Sequence, residues 1–186
     1  MAPLPMGGRR RGLIDKTGST VSLTRPFARA PAARVPTELV PRNHGTVTTV
    51  IGALTSRGLT ALMAMDGGTD REVFVAYVRW VLLPELRPSD IVLLDNVGAH
   101  KGPRVRDLIE GALANLWILP PYSPDLNPIE ECWSKVKGFL KTAKARTREA
   151  LELALAMAAE CVSPSDARGW LKLADYVNIQ PERSAL

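Results

Sequence analysis

The chain has 186 residues, 46% of them hydrophobic and 23% charged. That length and balance fit one globular domain with a sizeable core and exclude a wholly disordered chain. Twenty-four Lys and Arg against 19 Asp and Glu leave a net charge of +5, which permits a polyanionic partner without proving one. Two cysteines, Cys132 and Cys161, lack metal-ligand spacing, so the plain expectation is a reduced, cytosolic protein. No run approaches transmembrane length, and the opening MAPLPMGGRRRG has no apolar segment after its arginines, so it is not a secretory signal.

Residues 1–11 are rich in Pro, Gly and Arg and read as a disordered basic tail. Its GRRRG run is either solvated or in contact with phosphate. Leu13 and Ile14 read as the end of a strand with Asp15 immediately after it, Gly18 as a turn, and Thr20 to Leu23 as a strand pairing back. By residue type alone, an Asp beside a Thr-Gly pair is a turn residue. Arg25 to Arg42 is broken by prolines and reads as a loop, solvated or touching DNA, and His44 after it is given no role. Gly45 to Leu54 is β-branched and alternating, a strand; Arg57-Gly58 is a turn and Leu59 to Met65 the next strand. Thr69-Asp70-Arg71-Glu72 has the form of a capping box, and Phe74, Tyr77, Val78 and Val81 carry a helix that stops before Pro84. Asp66 and Asp70 are structural on this reading.

Ile91, Val92, Leu93 and Leu94 form a wholly apolar run, a strand buried on both faces. Asp95 stands where it ends, and in open α/β sheets the functional crevice lies at the carboxyl ends of strands. Pro103 opens a helix carrying Val105, Leu108, Ile109 and Leu113; Leu116 to Leu119 is the last core strand, stopped by Pro120-Pro121. Tyr122 to Asp125 is a turn. Asn127 then suits an N-cap, Pro128 the first helical position, and Glu130 the first turn.

On that helix Ile129, Trp133, Val136 and Leu140 recur at core spacing, while Glu130, Ser134, Lys137, Lys141 and Lys144 follow the neighbouring stripe. A carboxylate followed by lysines on one face suits a metal ion with a phosphate backbone beyond it. A solvated face with charge pairs three, four or seven residues apart suits the same residues. Thr147 caps a helix containing Leu151, Leu155 and Met157, and Ser163-Pro164-Ser165-Asp166 starts one more, leading to Trp170 and Leu173. Early strands joined by turns and later strands joined through helices make a mixed α/β sheet.

LLDNVGAH and PPYSPDLNPIEECW together closely resemble the catalytic core of mariner-like transposases, in particular the bacterial insertion-sequence branch of the Tc/mariner superfamily. Thirty-four residues, 96 through 129, separate Asp95 from Glu130, the spacing between that family's second Asp and its Glu. The resemblance runs from about Gly12 to about Tyr176. It implies a ribonuclease H-like DDE catalytic domain over residues 12–178, with a mixed five-stranded sheet flanked by helices and a tail at 179–186. It further implies metal-dependent DNA strand cleavage and strand transfer at insertion-sequence ends, with a TA target and a homodimer as the active form.

Asp15, Asp95 and Glu130 carry over as the catalytic carboxylates and ligands of two Mg²⁺ or Mn²⁺ ions. Asp15-Lys16-Thr17-Gly18 matches the family pattern except at Lys16, where an acid is usual. Asn96 and His100 carry over as groups near the substrate, His100 being otherwise a hydrogen-bonded loop residue; Lys137, Lys141 and Lys144 are the phosphate contacts that the helix stripe itself suggested. The family's helix-turn-helix DNA-binding modules have no room before Asp15, so the expectation is either a second reading frame or a truncated element, working in the cytoplasm at the nucleoid. Two other readings stand beside this one: a catalytically inactive remnant that only binds nucleic acid, and a cellular nuclease of the same fold acting on RNA–DNA hybrids.

Overall fold

The computed structural model describes residues 9–23, 47–96, 102–121, 123–174 and 176. Most of the basic tail, the Arg25 to Arg42 loop, His44, His100 and Tyr122 lie outside them. Five strands form one sheet in the order β3-β2-β1-β4-β5. They are β1 (Arg11–Ser19), β2 (Thr48–Thr55), β3 (Gly58–Asp66), β4 (Ile91–Leu94) and β5 (Asn115–Ile118). β1 pairs antiparallel with β2 and parallel with β4; β2–β3 is antiparallel and β4–β5 parallel. This is the mixed ribonuclease H-like sheet that was expected, with the first and fourth strands side by side.

Alternation along the strands divides the core in two. Leu13, Val50, Leu54 and Leu93 face α3 (Ile129–Ala143), α4 (Arg148–Glu160) and α5 (Pro164–Leu173). Ile14, Ile51, Val92 and Leu94 face α1 (Arg71–Tyr77) and α2 (Pro103–Gly111). All four residues of β4 are buried, as a strand covered on both faces requires.

Several expectations need correction. β1 does not end at Ile14, where its ladder with β4 stops, but runs through Asp15 to Ser19, because β2 goes on pairing with it as far as Ser19. Gly18 is therefore inside a strand, and Thr20 to Leu23 is a turn rather than a strand. Arg10 and Arg11 are not tail: Arg10 pairs with Asp90, and Arg11 opens β1. Asp70, not Thr69, caps α1, its carboxylate accepting from the Val73 N–H at 2.8 Å. α1 then widens into a π-helical turn over Val78–Leu82 before a 3₁₀ turn at Leu83–Glu85. Leu113 lies beyond α2 with φ 59° and is exposed. Thr147 and Ser163 cap α4 and α5 as expected, Ser163 in a full capping box with Asp166.

Two glycines answer to geometry. Gly58 has φ +124°, and a β-carbon there would lie 2.7 Å from the Val162 carbonyl oxygen. Gly52 sits where the β2–β3 register shifts between Ile51 and Ala53, at a bulge.

Candidate active site

Ile14 pairs with Leu94 in the parallel ladder, so Asp15 and Asp95 are the next residues on adjoining strands. Leu13 and Leu93 both face α3. Two residues on, Asp15 lies on that same face by strand alternation, and Asp95 stands just past the end of β4. Lys16 falls on the opposite face, paired with Ile51. Asp15 is 6% exposed, whereas Asp95 and Asn96 are half-buried.

The cross-strand partner of Asp15 on β2 is Gly52. The indole of Trp133 reaches over this glycine, its Cη2 lying 3.1 Å from where a β-carbon would stand. Glu130 is three residues before Trp133 and exposed, in the first turn of α3. Ile129, Cys132, Trp133, Val136 and Leu140 bury the opposite side of the helix against β1 and its neighbours.

The entry to α3 differs from the expected cap. Pro128 occupies the cap position in helical conformation, without a side-chain hydrogen bond, and Asn127 contributes its backbone carbonyl, accepting from the Glu130 N–H at 3.1 Å. The preceding 3₁₀ turn, Pro124–Leu126, is held from outside: the buried Tyr176 hydroxyl donates to the Leu126 carbonyl at 2.8 Å. The Arg11 guanidinium donates in turn to the Tyr176 carbonyl. Tyr176 thus ties the start of β1 to the turn that launches Glu130. Burial pushes its phenol up to about 12, with Arg11 pulling the other way, and burial lowers the Arg11 guanidinium. Sequence reading gave Tyr176 no role, since no local pattern announces a bond spanning 50 residues.

Glu130 also lines an open cleft of about 470 Å³ with Asp125, Asn127, Glu131 and, from α5, Trp170 and Leu173. Asp125 is exposed in the turn, as its residue type suggested. Lys137 and Lys141 are half-buried and Lys144 exposed at the C-cap. At a rise of about 1.5 Å per residue they stand about 10, 16 and 21 Å along the helix from Glu130. Only an extended ligand touches both Glu130 and Lys144. Lys135, on another face, is bound to Asp166 at 2.6 Å.

In donor chemistry the three carboxylates fit a hard divalent cation such as Mg²⁺ or Mn²⁺, which takes oxygen ligands. In placement Asp15 and Asp95 adjoin, and Glu130 rides on the helix that covers them. Among the described residues, however, no three acidic, His or Cys side chains converge closely enough to hold a metal ion. Two candidate carboxylates thus follow paired strand residues, and the third stands on an exposed side chain.

A protein-family model described as DDE superfamily endonuclease matches residues 12–152. Among solved structures, the chain is similar to the Mos1 transposase paired-end complex with left transposon end, at 18% identity and TM-score 0.67, over 89% of this chain and 52% of that one. It is similar to the Mos1 mariner paired end complex with Mn, at 18% identity and TM-score 0.66, over 89% and 52%. The catalytic domain of Mos1 mariner transposase gives 16% identity and TM-score 0.61, over 89% and 78%. No curated protein sequence matches. The chain spans about half the length of the first two structures, and at these identities the likeness is one of fold.

Proposed function

Since the chain belongs to the DDE superfamily endonuclease family, we propose that it is the catalytic domain of a DNA transposase, cutting DNA strands at insertion-sequence ends and joining them to a target. One observation carries the reading: the parallel pairing of Ile14 with Leu94 sets Asp15 beside Asp95 on the face covered by α3, the helix that bears Glu130.

Asp15, Asp95 and Glu130 are the proposed ligands of two Mg²⁺ or Mn²⁺ ions; the Mos1 structure with Mn supports the choice of ion. Such ions supply Lewis-acid activation of the attacking oxygen and neutralise charge on the leaving one. The chain's own contribution is placement. Asp15 is buried and paired with Gly52 on β2, one residue past the end of the β1–β4 ladder. Asn96, next to Asp95, lies within reach of the substrate, and His100, outside the described residues, is assigned proton transfer, a role open to imidazole in general. Lys137, Lys141 and Lys144 track the DNA backbone away from the cut.

Water attack at the scissile phosphorus breaks the P–O3′ bond, leaving a 5′-phosphate and a 3′-hydroxyl, and the proton lost from the water passes to the 3′ oxygen that leaves. Strand transfer repeats the exchange with a DNA 3′-hydroxyl in place of water, so one P–O bond forms as another breaks and no covalent enzyme intermediate is needed. A TA target, a homodimer as the active form, and action at the nucleoid complete the proposal. No helix among the described residues is long and apolar enough to cross a membrane.

The carboxylates, not gathered among the described residues, favour a second reading, an inactive remnant that binds nucleic acid only. Cleavage of terminal-repeat DNA in Mn²⁺ separates the two. The transposase reading expects cutting that is lost in Asp95→Ala and in Glu130→Ala. An active wild type whose rate survives either change refutes the assignment, and a folded wild type that binds DNA without cutting it supports the remnant.

A further inference from the structure

We infer that Gly52 and Trp133 form a size-matched pair that sets the distance between the Asp15 strand and the Glu130 helix, making both positioning residues for the carboxylate site. The inference rests on the proposed function and adds to it a device outside the three acids.

Four observations meet at this point. Gly52 is the cross-strand partner of Asp15. Its other edge faces a bulge: Ile51 pairs with Met63 and Ala53 with Thr60, so Ala61 and Leu62 together oppose Gly52 alone. Ala61 takes φ 49°, the local conformation that accommodates the extra residue. The bulge turns Leu62 over the glycine, so a β-carbon at position 52 would lie 2.8 Å from Leu62 Cδ2, 3.1 Å from Trp133 Cη2 and 3.2 Å from Leu59 Cδ1. No side chain fits there unless the indole or the leucine moves.

The indole itself is an expensive occupant. Trp133 is 1% exposed, and its Nε1 has no hydrogen-bond partner among the described residues. A buried N–H without an acceptor is destabilising, and an aliphatic or phenyl side chain would avoid that cost. What the indole uniquely supplies here is reach, from the axis of α3 across the sheet to the backbone at Gly52. Trp133 is one helical turn from Glu130. The contact therefore acts as a stop that fixes how closely the first turn of α3 approaches Asp15. Glu130 itself is exposed, so its side chain can swing; what the pair fixes is the helix from which it swings.

The test measures Mn²⁺ uptake by calorimetry and cleavage of terminal-repeat DNA, on wild type, Gly52→Ala, Trp133→Phe and the double variant. Gly52→Ala pushes α3 outward, and Trp133→Phe shortens the stop. Each single change is expected to weaken Mn²⁺ binding about tenfold and to slow cleavage about 10- to 100-fold, the scale on which misplacements near 1 Å act. The double variant, with the added methyl group facing a shorter ring, is expected to recover most of both. A purely structural role would lower thermal stability while leaving the Mn²⁺ affinity of the folded protein unchanged. If Gly52→Ala does not fold, Trp133→Phe alone decides. Wild-type Mn²⁺ affinity in the folded single variants, or no recovery in a folded double variant, overturns the inference. A wild type that neither binds Mn²⁺ nor cuts overturns the proposed function itself.

Discussion

Removing a proposed catalytic carboxylate is expected to stabilise the metal-free protein. Asp15 is 6% exposed and Asp95 half-buried, and they occupy successive positions on neighbouring strands. Neighbouring strands run about 4.8 Å apart. Two unit charges about 5 Å apart repel by about 3 kcal/mol at an effective dielectric of about 20. Screening at the half-exposed Asp95, and the partners that both carboxylates have, reduce this to about 1–2 kcal/mol. Asp15→Asn keeps the shape and removes one charge. At about 2–4 °C per kcal/mol for a domain of this size, Tm in EDTA is expected to rise by about 2–8 °C. In Mn²⁺ the order reverses. An ion at 100 times its Kd adds about 2.7 kcal/mol to the wild type, and little to a variant lacking a principal ligand. Differential scanning calorimetry with and without Mn²⁺ reads both arms. An Asp15→Asn protein less stable than wild type in EDTA, or equally stabilised by Mn²⁺, refutes the reasoning.

Tyr176→Phe removes the hydroxyl that donates to the Leu126 carbonyl. The expected cost is about 1 kcal/mol in chemical denaturation, and an unchanged midpoint shows that the bond does not hold the turn before α3. Cys161 is exposed and Cys132 buried, its thiol pushed up to about 12 by burial; at pH 8 a thiol reagent is expected to titrate one cysteine in the native protein and two after unfolding. Because the Cys132 value is raised, its share of stability is complete below the ordinary 9.0 and lost as pH climbs toward 12. Asp166 behaves oppositely: hydrogen bonds from Lys135 first, then Ser163, bring it down to about 2 from 3.8. Its contribution is therefore complete above pH 3.8 and lost as pH falls toward 2, and acid titration of Asp166→Asn is expected to be flatter in that window than the wild type.

Legibility in the sequence followed locality. The β4 run Ile91 to Leu94 is apolar throughout, and one segment sufficed to identify it. The Ser163–Asp166 box closes within four residues and was equally readable. β1 was not: after Asp15 come Lys16, Thr17 and Gly18, a string with turn propensity, and only the ladder from β2 makes it a strand. Gly18 is accommodated there beside Val47, 3.2 Å from where its β-carbon would stand. Asp95 and Glu130 were named from the long motifs that contain them, and Asp15 from a four-residue pattern alone. The groups that hold their supports, Gly52 and Tyr176, were not, because their partners lie far along the chain. A glycine inside a β-branched strand does signal a bulge or a close approach, and in GTVTTVIGAL that signal was present at Gly52.

The three carboxylates are mounted in two different ways, with consequences for how the site varies. Asp15 and Asp95 are tied through the backbone: β1 is hydrogen-bonded on both edges, and the β1–β4 ladder continues to the residue before each of them. Their separation is a property of the sheet and changes only if pairing fails. Glu130 depends on side chains. Its helix begins without a side-chain cap and is held by Ile129, Cys132, Trp133, Val136 and Leu140 packing below, and by the Tyr176 hydroxyl at the turn before it. Packing contacts are individually weak and shift with each substitution, so the helix-borne acid is the adjustable member of the set. The same division explains how a sheet can be read from sequence while the closure of the site cannot. Register follows from pattern, whereas the seating of one helix on that sheet is decided by the shapes of a few distant residues, here an absent side chain and a large one.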